Sequence, residues 1–247
     1  MLKILYSDEH IVAIHKPAGL LVHRSAIDRQ ETEIAMIKLR DQIGHRVYPA
    51  HRLDKPVSGV LLFALNPENA RQLARAFETG SVHKTYHALV RGHCPTEGKI
   101  DYPLKEQLDA LTDQKADPHK LPQTAITEWQ CLGTCELPIP VGRYSTARYS
   151  LLKINPSTGR KHQIRRHMKH IFHPIIGDTT HGDGRHNQMF RQQFGSSTLM
   201  LAATRLELQH PVTRVSITLG SDGDPSFRRI LELVGLPFTE DLRAESR

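Results

Sequence analysis

The sequence predicts an α+β protein, and three adjoining segments carry this prediction. Residues 60–65, "VLLFAL", are continuously apolar, which is typical of a β-strand buried on both faces. Residues 66–80 place apolar side chains at helical spacing between an Asn-Pro start and a Gly end. Residues 82–90, "VHKTYHALV", follow the period of a strand. The chain shows no repeat, low-complexity tract or Gly/Ser linker, so we expect one domain over residues 1–247.

The N-terminal segment predicts two short strands. "ILY" and "IVAIH" flank the polar turn "SDEH" within residues 4–15. A "KPAG" turn and a further apolar run, "LLVH", follow at residues 16–23. The chain therefore opens with β structure.

The segment "AHRLDKPVSGVLLFAL", residues 50–65, places one carboxylate, Asp54, between the cations Arg52 and Lys55. A proline keeps Lys55 extended, and the Ser-Gly pair before the apolar run predicts a turn. We therefore expect Asp54 on a loop that enters the core.

The two elements after this loop have clear local signals. Asn66 is the predicted N-cap of the helix, Pro67 its first residue, and Gly80 ends it. In the strand that follows, Tyr86 shares a face with mainly apolar neighbours. Residues 105–122 are polar and bounded by proline, which predicts an excursion between the strands "KIDYPL" and "TAITEWQCL".

The charge balance favours a polyanionic partner. Lys and Arg total 33 against 26 Asp and Glu, a net charge of +7 with neutral His. Residues 137–177, here called the basic stretch, contain no acidic residue. Their surface would attract phosphates. Its eight cations are Arg143, Arg148, Lys153, Arg160, Lys161, Arg165, Arg166 and Lys169.

Within the basic stretch, "TGRKHQIRRHMKHIF" predicts an amphipathic helix. An apolar stripe of Ile164, Met168 and a further Ile lies at helical spacing. Arg165 lies beside that stripe and Arg166 roughly opposite it. A half-buried Arg165 needs a carboxylate or phosphate partner, and Asp54, also at the edge of the core, is the candidate.

Three classes of protein do not fit the composition. Three cysteines form too sparse a set for a disulfide scaffold and suit a reducing compartment, so we expect a cytosolic protein. The N-terminus has no apolar core of signal-peptide length, and no window approaches the roughly 18 apolar residues of a membrane helix.

We also expect no metal, because the sequence lacks an HExxH pattern or a second Cys pair. The nearest candidates for metal ligands are His162, His167, His170, His173, Cys131 and Cys135.

Five motifs occur in a set order along the chain. They are "KPAGLLVH" at 16–23, "HRLDKPVSG" at 51–59, "KTYHALVRG" at 84–92, "TGRKHQIRRHM" at 158–168 and "HPIIGDTTHGD" at 173–183. Together they resemble the pseudouridine synthases that act on ribosomal and transfer RNA, over most of the chain. The family motif has Thr where Val57 stands, a difference that we expect to alter local hydrogen bonding rather than chemistry.

The resemblance implies a mixed, mostly antiparallel central sheet with flanking helices and an active site in a basic cleft. The details "VHRSAIDR", "RDQIG" and "GRKHQIRRHMKHIFHPIIGD" are most similar to members that modify uridine 65 of tRNA, which favours tRNA over ribosomal RNA as the partner. The catalytic pattern begins at Met1, so we expect no separate N-terminal RNA-binding domain. We also expect a monomer that uses no cofactor.

The resemblance further implies the chemistry. Such enzymes cut the N1–C1′ bond of a uridine, turn the base and rejoin it through C5, with one essential aspartate, which by motif position is Asp54. That carboxylate would act as a nucleophile at C1′ or as a base toward the ribose in a glycal route, and the sequence leaves both open. Arg165 would favour its ionised form, and Tyr86 would pack against the base.

The remaining predicted site residues contact the substrate. Arg52 resembles the arginine that takes part in flipping the uridine out of its stack, and Ile164 would give apolar contact to the uracil. His51 belongs to the same motif as Asp54. We assign substrate binding to it and to three cations of the basic stretch, Lys161, Arg166 and Lys169.

Simpler interpretations stand beside these assignments. Tyr86 on a strand is ordinarily a core residue, and Arg165 could be purely structural. A non-catalytic RNA-binding module would have no reason to embed Asp54 among cations. A glycoside hydrolase needs two flanking carboxylates, and the nearest rival, Asp178, reads as a turn residue.

Overall fold

The computed structural model describes residues 1–23, 33–106 and 121–236, which form ten strands and five helices. Most of the predicted excursion at 105–122 and of the segment "VHRSAIDR" lies outside these residues. The strands are β1 Lys3–Ser7, β2 Ile11–Lys16, β3 Tyr48–Pro49, β4 Ser58–Ala64, β5 His83–Arg91, β6 Glu97–Asp101, β7 Ile126–Leu137, β8 Ala147–Pro156, β9 Leu201–Gln209 and β10 Ser216–Gly220. The helices are α1 Ala35–Ile43, α2 Pro67–Glu78, α3 Gln163–His170, α4 Gly184–Phe194 and α5 Pro225–Leu233.

The ten strands form one sheet. Its order is β1-β2-β4-β9-β5-β8-β7-β6, with β3 also beside β4 and β10 also beside β9. The pair β4–β9 is parallel and the other pairs are antiparallel. This architecture confirms the prediction of an α+β fold with a mixed, mostly antiparallel sheet.

Both faces of the sheet centre are covered. Because side chains alternate along a strand, Leu61 of β4 points into the larger hydrophobic cluster and Leu62 into the smaller one. The larger cluster contains residues of α1, α3, α4 and α5, such as Met168 and Phe227. Leu73 of α2 belongs to the smaller cluster. This two-sided burial explains why β4 is apolar throughout.

The helix signals around α2 are confirmed. The Asn66 side chain accepts a hydrogen bond from the Asn69 amide, Pro67 is the first helical residue, and Gly80 follows the end with φ of 75°. Local capping chemistry therefore sets both ends of this helix.

The apolar run "LLVH" at 20–23 buries Leu20 and Val22 in the larger cluster. One local prediction was wrong. The predicted Ser-Gly turn is instead the start of β4, where Gly59 has φ of 120° and pairs with Ala203 of β9. A Cβ at this position would lie 1.9 Å from the Ala203 carbonyl oxygen. The glycine is there because β9 approaches closely, and the chain does not turn.

Among the described residues, no helix combines the length and the apolar character needed to cross a membrane.

Candidate active site

A pocket of about 650 Å³ opens between the loop before β4, helix α2, strand β5 and the start of α3. This size is within the range of small-ligand sites. The pocket brings together residues that are more than 100 positions apart in the chain. Seven of the nine predicted site residues line it: His51, Arg52, Asp54, Tyr86, Lys161, Ile164 and Arg165.

Asp54 lies on the loop that leads into β4, as predicted, and its side chain is 21% exposed. The Val57 amide donates to the Asp54 carbonyl at 3.0 Å, which closes the loop into a turn. Oδ2 of Asp54 lies 3.1 Å from Nη1 of Arg165. The predicted contact between this carboxylate and this guanidinium is therefore present.

Arg165 is more deeply buried than predicted, because it is only 4% exposed rather than half-buried. Its main partner is Asp178: Nε donates to Oδ2 at 2.7 Å and Nη2 to Oδ1 at 2.9 Å. Burial alone would lower the Arg165 pKa, but Asp178 and Asp54 outweigh it and the pKa is raised. One guanidinium thus joins two carboxylates.

Asp178 has two structural roles, of which the sequence indicated one. It is a turn residue as expected, since Oδ1 accepts hydrogen bonds from the amides of Thr180 and His181. It also fixes Arg165. Burial would raise the Asp178 pKa, but the hydrogen bonds from Arg165 and these amides dominate, and the pKa is lowered. The carboxylate is therefore ionised, and both its oxygens are occupied.

Tyr86 lies on β5, where it is paired with Ile154 of β8 and Ala203 of β9. Its ring packs against the larger hydrophobic cluster and also lines the pocket with Asp54. Burial and the Asp54 charge raise the Tyr86 pKa, so the phenol stays protonated.

His51 is on the pocket wall with its Nε2 already occupied. That nitrogen accepts a hydrogen bond from the Leu62 amide at 3.1 Å, and the ring stacks on Phe77 with centroids 4.7 Å apart. Burial and the nearby Lys84 charge lower the His51 pKa to about 3. His51 is consequently a neutral ring that braces the loop carrying Asp54.

The other predicted substrate residues divide by position. Arg52 and Lys161 are exposed at the pocket, and Ile164 is 7% exposed on its wall. Arg166 and Lys169 lie on α3 but outside the pocket, the first partly buried and the second exposed. The structure does not bring this second pair to the reacting position.

Sequence reasoning missed other members of the site. Lys84 lines the pocket, and its Nζ donates to the Thr158 carbonyl at 3.2 Å. Nε2 of His162, which the sequence indicated only as a candidate metal ligand, lies 3.7 Å from Oδ2 of Asp54. Its Nδ1 lies 3.0 Å from Nε2 of His181. In the described part of the chain, no three His, Cys, Asp or Glu are arranged to hold a metal ion.

A buried lysine supports the Asp54 loop through a hydrogen bond to its backbone. Lys16 is fully buried, and its Nζ donates to the carbonyls of Pro17, Leu20 and Lys55 at 2.8–3.0 Å. Burial lowers the Lys16 pKa to about 7, against the opposing charges of Asp224 and Asp54. Lys16 therefore joins the "KPAG" segment to the residue next to Asp54.

Comparison with known proteins places this geometry in a family. The family model described as RNA pseudouridylate synthase matches residues 10–170. Two similar relatives are named tRNA pseudouridine synthase C, from Pectobacterium carotovorum subsp. carotovorum and Yersinia pestis, and each is 52% identical over 95% of this chain. The chain spans 62% of the length of the first relative and 91% of the second.

A solved structure shows the same architecture. Human RNA Pseudouridylate Synthase Domain Containing 4 superposes with a TM-score of 0.72 at 27% identity, covering 95% of this chain and 94% of that one. The family match, the relatives and the fold agree, and this chain belongs to the RNA pseudouridylate synthase family.

Proposed function

We propose that this chain isomerises a specific uridine of tRNA, at position 65, to pseudouridine. The observation that carries the proposal is the contact between Oδ2 of Asp54 and the buried Arg165 in a pocket that Tyr86 and Ile164 also line. The names of the two bacterial relatives, which specify tRNA, support the choice of RNA.

Asp54 is the proposed reactive group. Arg165 lies against one oxygen, Oδ2, and within the described residues no hydrogen bond to Oδ1 is present. We assign Oδ1, the oxygen away from Arg165, to the ribose, whether as nucleophile at C1′ or as base in a glycal route. Since a stacked base is out of reach, the uridine must be extruded into the pocket, with Tyr86 and Ile164 against the uracil.

Isomerisation fits the site better than hydrolysis of the glycosidic bond. A hydrolase of the usual kind needs a second carboxyl group that can give and take a proton. Both oxygens of Asp178 are bound by Arg165 and backbone amides, and its side chain is 1% exposed. Asp178 therefore supports Arg165. The other carboxylate that lines the pocket, Glu78, is exposed at the end of α2, whereas Asp54 is held by Arg165 on the loop before β4, so we assign Asp54 as the reactive acid.

We assign some of the cations to the flipped uridine and the others to the phosphates of the RNA backbone. We assign Arg52, which is exposed and lines the pocket, to flipping, and we assign His51 and Lys161, which also line it, to the substrate. Arg166 and Lys169, outside the pocket, are assigned to phosphates further along the RNA. We further propose that the protein works as a monomer in the cytosol with its own side chains alone.

The test uses unmodified transcripts of tRNA and of ribosomal RNA labelled with tritium at C5 of uridine. Tritium release and mapping of pseudouridine should show turnover on tRNA at position 65, and a transcript with cytidine at 65 should release none. Modification of ribosomal RNA alone would reject tRNA as the substrate.

The Asp54→Asn variant is the matched control for chemistry. It should abolish turnover while RNA affinity stays within roughly tenfold, because phosphate contacts lie elsewhere. Substantial turnover by this variant would remove Asp54 from its assigned role.

A further inference from the structure

His162 occupies an unusual backbone position beside Asp54. It immediately precedes α3 with φ of 56° and ψ of 25°, in the left-handed region that non-glycine residues seldom adopt. Its ring lines the same pocket as Asp54 and Tyr86, and its side chain is 21% exposed. Left-handed residues other than glycine cost energy and cluster at functional sites.

The two ring nitrogens of His162 face different groups. Nε2 lies 3.7 Å from Oδ2 of Asp54, and Nδ1 lies 3.0 Å from Nε2 of His181. His181 is 7% exposed, and its amide donates to Oδ1 of Asp178. One ring nitrogen therefore faces the reactive carboxylate, and the other is held by a buried imidazole.

The contact between the two imidazoles admits one proton, so it links their tautomers. If His162 donates from Nδ1 to His181, the lone pair of its Nε2 faces the pocket. If His181 donates instead, His162 carries its proton on Nε2 beside Asp54. The pair can thus present either a base or an acid at the same point of the pocket.

We propose that His162 is a catalytic residue that moves the C5 proton of the isomerised base to N1, and that His181 is the positioning residue that fixes its tautomer. This role rests on the proposed function. Once C5 is bonded to C1′, the C5–H bond breaks and its proton goes to Nε2. The C5–H electron pair forms the C5=C6 double bond, and the pair of the C6=N1 double bond moves onto N1, which becomes negatively charged. Nε2–H then gives the proton to N1, so no further reactant is needed.

The other pocket groups are less suited to this step. The phenol of Tyr86 is kept protonated by its raised pKa, and Nε2 of His51 already accepts from the Leu62 amide. Nζ of Lys84 is held by its hydrogen bond to the Thr158 carbonyl.

The surroundings of His162 favour its neutral form, mainly because the ring is partly buried. Burial, Arg165 and Lys161 lower the His162 pKa, while Asp54 and Asp178 act in the opposite direction. His181 is held neutral in the same way, since burial lowers its pKa to about 4. The charged and titratable groups that face His181 are Asp178, Arg165, His162 and Lys169.

The test compares tRNA transcripts that carry hydrogen or deuterium at C5 of uridine. His162→Asn is the informative variant, because Asn tolerates the left-handed backbone but has no imidazole. Its kcat should fall by about 100-fold or more. Its C5 isotope effect on pseudouridine formation should exceed that of wild type, since proton removal becomes slower than the other steps. RNA affinity should be unchanged.

His170→Asn is the matched control, because His170 lies on the same helix, exposed and outside the pocket. It should keep the wild-type rate and isotope effect. His181→Phe should lower kcat at unchanged KM, whereas His181→Gln, whose amide oxygen can accept from Nδ1, should restore most of the rate.

The outcomes separate this role from the proposed function. A kcat of His162→Asn within about threefold of wild type, against the usual size of acid–base contributions, would overturn the role, as would an unchanged isotope effect. Equal losses in His181→Phe and His181→Gln would overturn the part assigned to His181. Absence of turnover by wild type would overturn the proposed function first, and this role with it.

Discussion

Removing the Asp178 carboxylate should destabilise the protein far more than removing an exposed one. In Asp178→Asn, one oxygen and one NH₂ group replace two charged acceptors of Arg165. The side chains of this ion pair are 1% and 5% exposed, so solvent cannot replace the lost partner. Breaking a buried pair on one side costs about 3–5 kcal/mol of unfolding free energy. For a chain of this length, that loss corresponds to a fall in Tm of roughly 6–20 °C.

The pH dependence of this loss has a definite sign. Because the folded-state pKa of Asp178 is lowered, its stabilisation is present above the unfolded pKa of about 4 and is lost as pH falls through the folded value. The difference in Tm between wild type and Asp178→Asn should therefore be full at neutral pH and shrink in acid.

Thermal unfolding followed by circular dichroism between neutral and acidic pH measures both effects. Glu68→Gln is the control, because Glu68 pairs with Arg71 on the surface of α2, where such pairs contribute little. A stability loss in Asp178→Asn below about 1 kcal/mol would refute the reasoning, because it falls well short of a broken buried pair. A difference in Tm that does not change with pH would refute it too.

Three further predictions test other contacts. Arg165→Met should lower kcat in the tritium assay with little loss of RNA affinity, whereas Arg166→Met should mainly weaken binding; equal effects would make Arg165 another phosphate contact. Lys169→Ala should reduce the salt slope of RNA binding by about one, measured by titration at several salt concentrations, and an unchanged slope would place the RNA elsewhere. Gly59→Ala should lower Tm much more than Gly44→Ala, because both glycines have positive φ but only Gly59 meets the Ala203 backbone; similar shifts would contradict that clash.

The parts of the fold that could be predicted are those with local causes. The ends of α2 follow from Asn66 and Gly80, and β4 follows from its apolar run, since neighbouring residues supply the signal. Gly59 was misread because its cause is β9, more than 140 residues away in sequence. The strand order is of the same kind, because pairing of distant strands leaves little trace in either one.

The same distinction between local and distant causes applies to the residues of the candidate site. Asp54 and Arg165 could be paired from sequence because an acid among cations and a cation beside an apolar stripe are each unusual. Asp178 was missed because its turn role already explained it. The overlooked signal was the guanidinium itself, which has five N–H donors and, when buried, needs more acceptors than one carboxylate offers. His162 gave no signal, because its left-handed backbone appears only in the structure.

Sharing one guanidinium between two carboxylates has a consequence for catalysis. Asp54 receives one hydrogen bond from Arg165, while Asp178 receives two and stays ionised. Any route through Asp54 changes the charge on its carboxyl group, by an ester to C1′ or by a proton from the ribose. If Arg165 depended on Asp54 alone, that change would leave a buried cation unpaired in mid-reaction, at a high cost. Asp178 keeps Arg165 paired and in place throughout. The charge on Asp54 can therefore change during the reaction while the geometry of the pocket stays fixed.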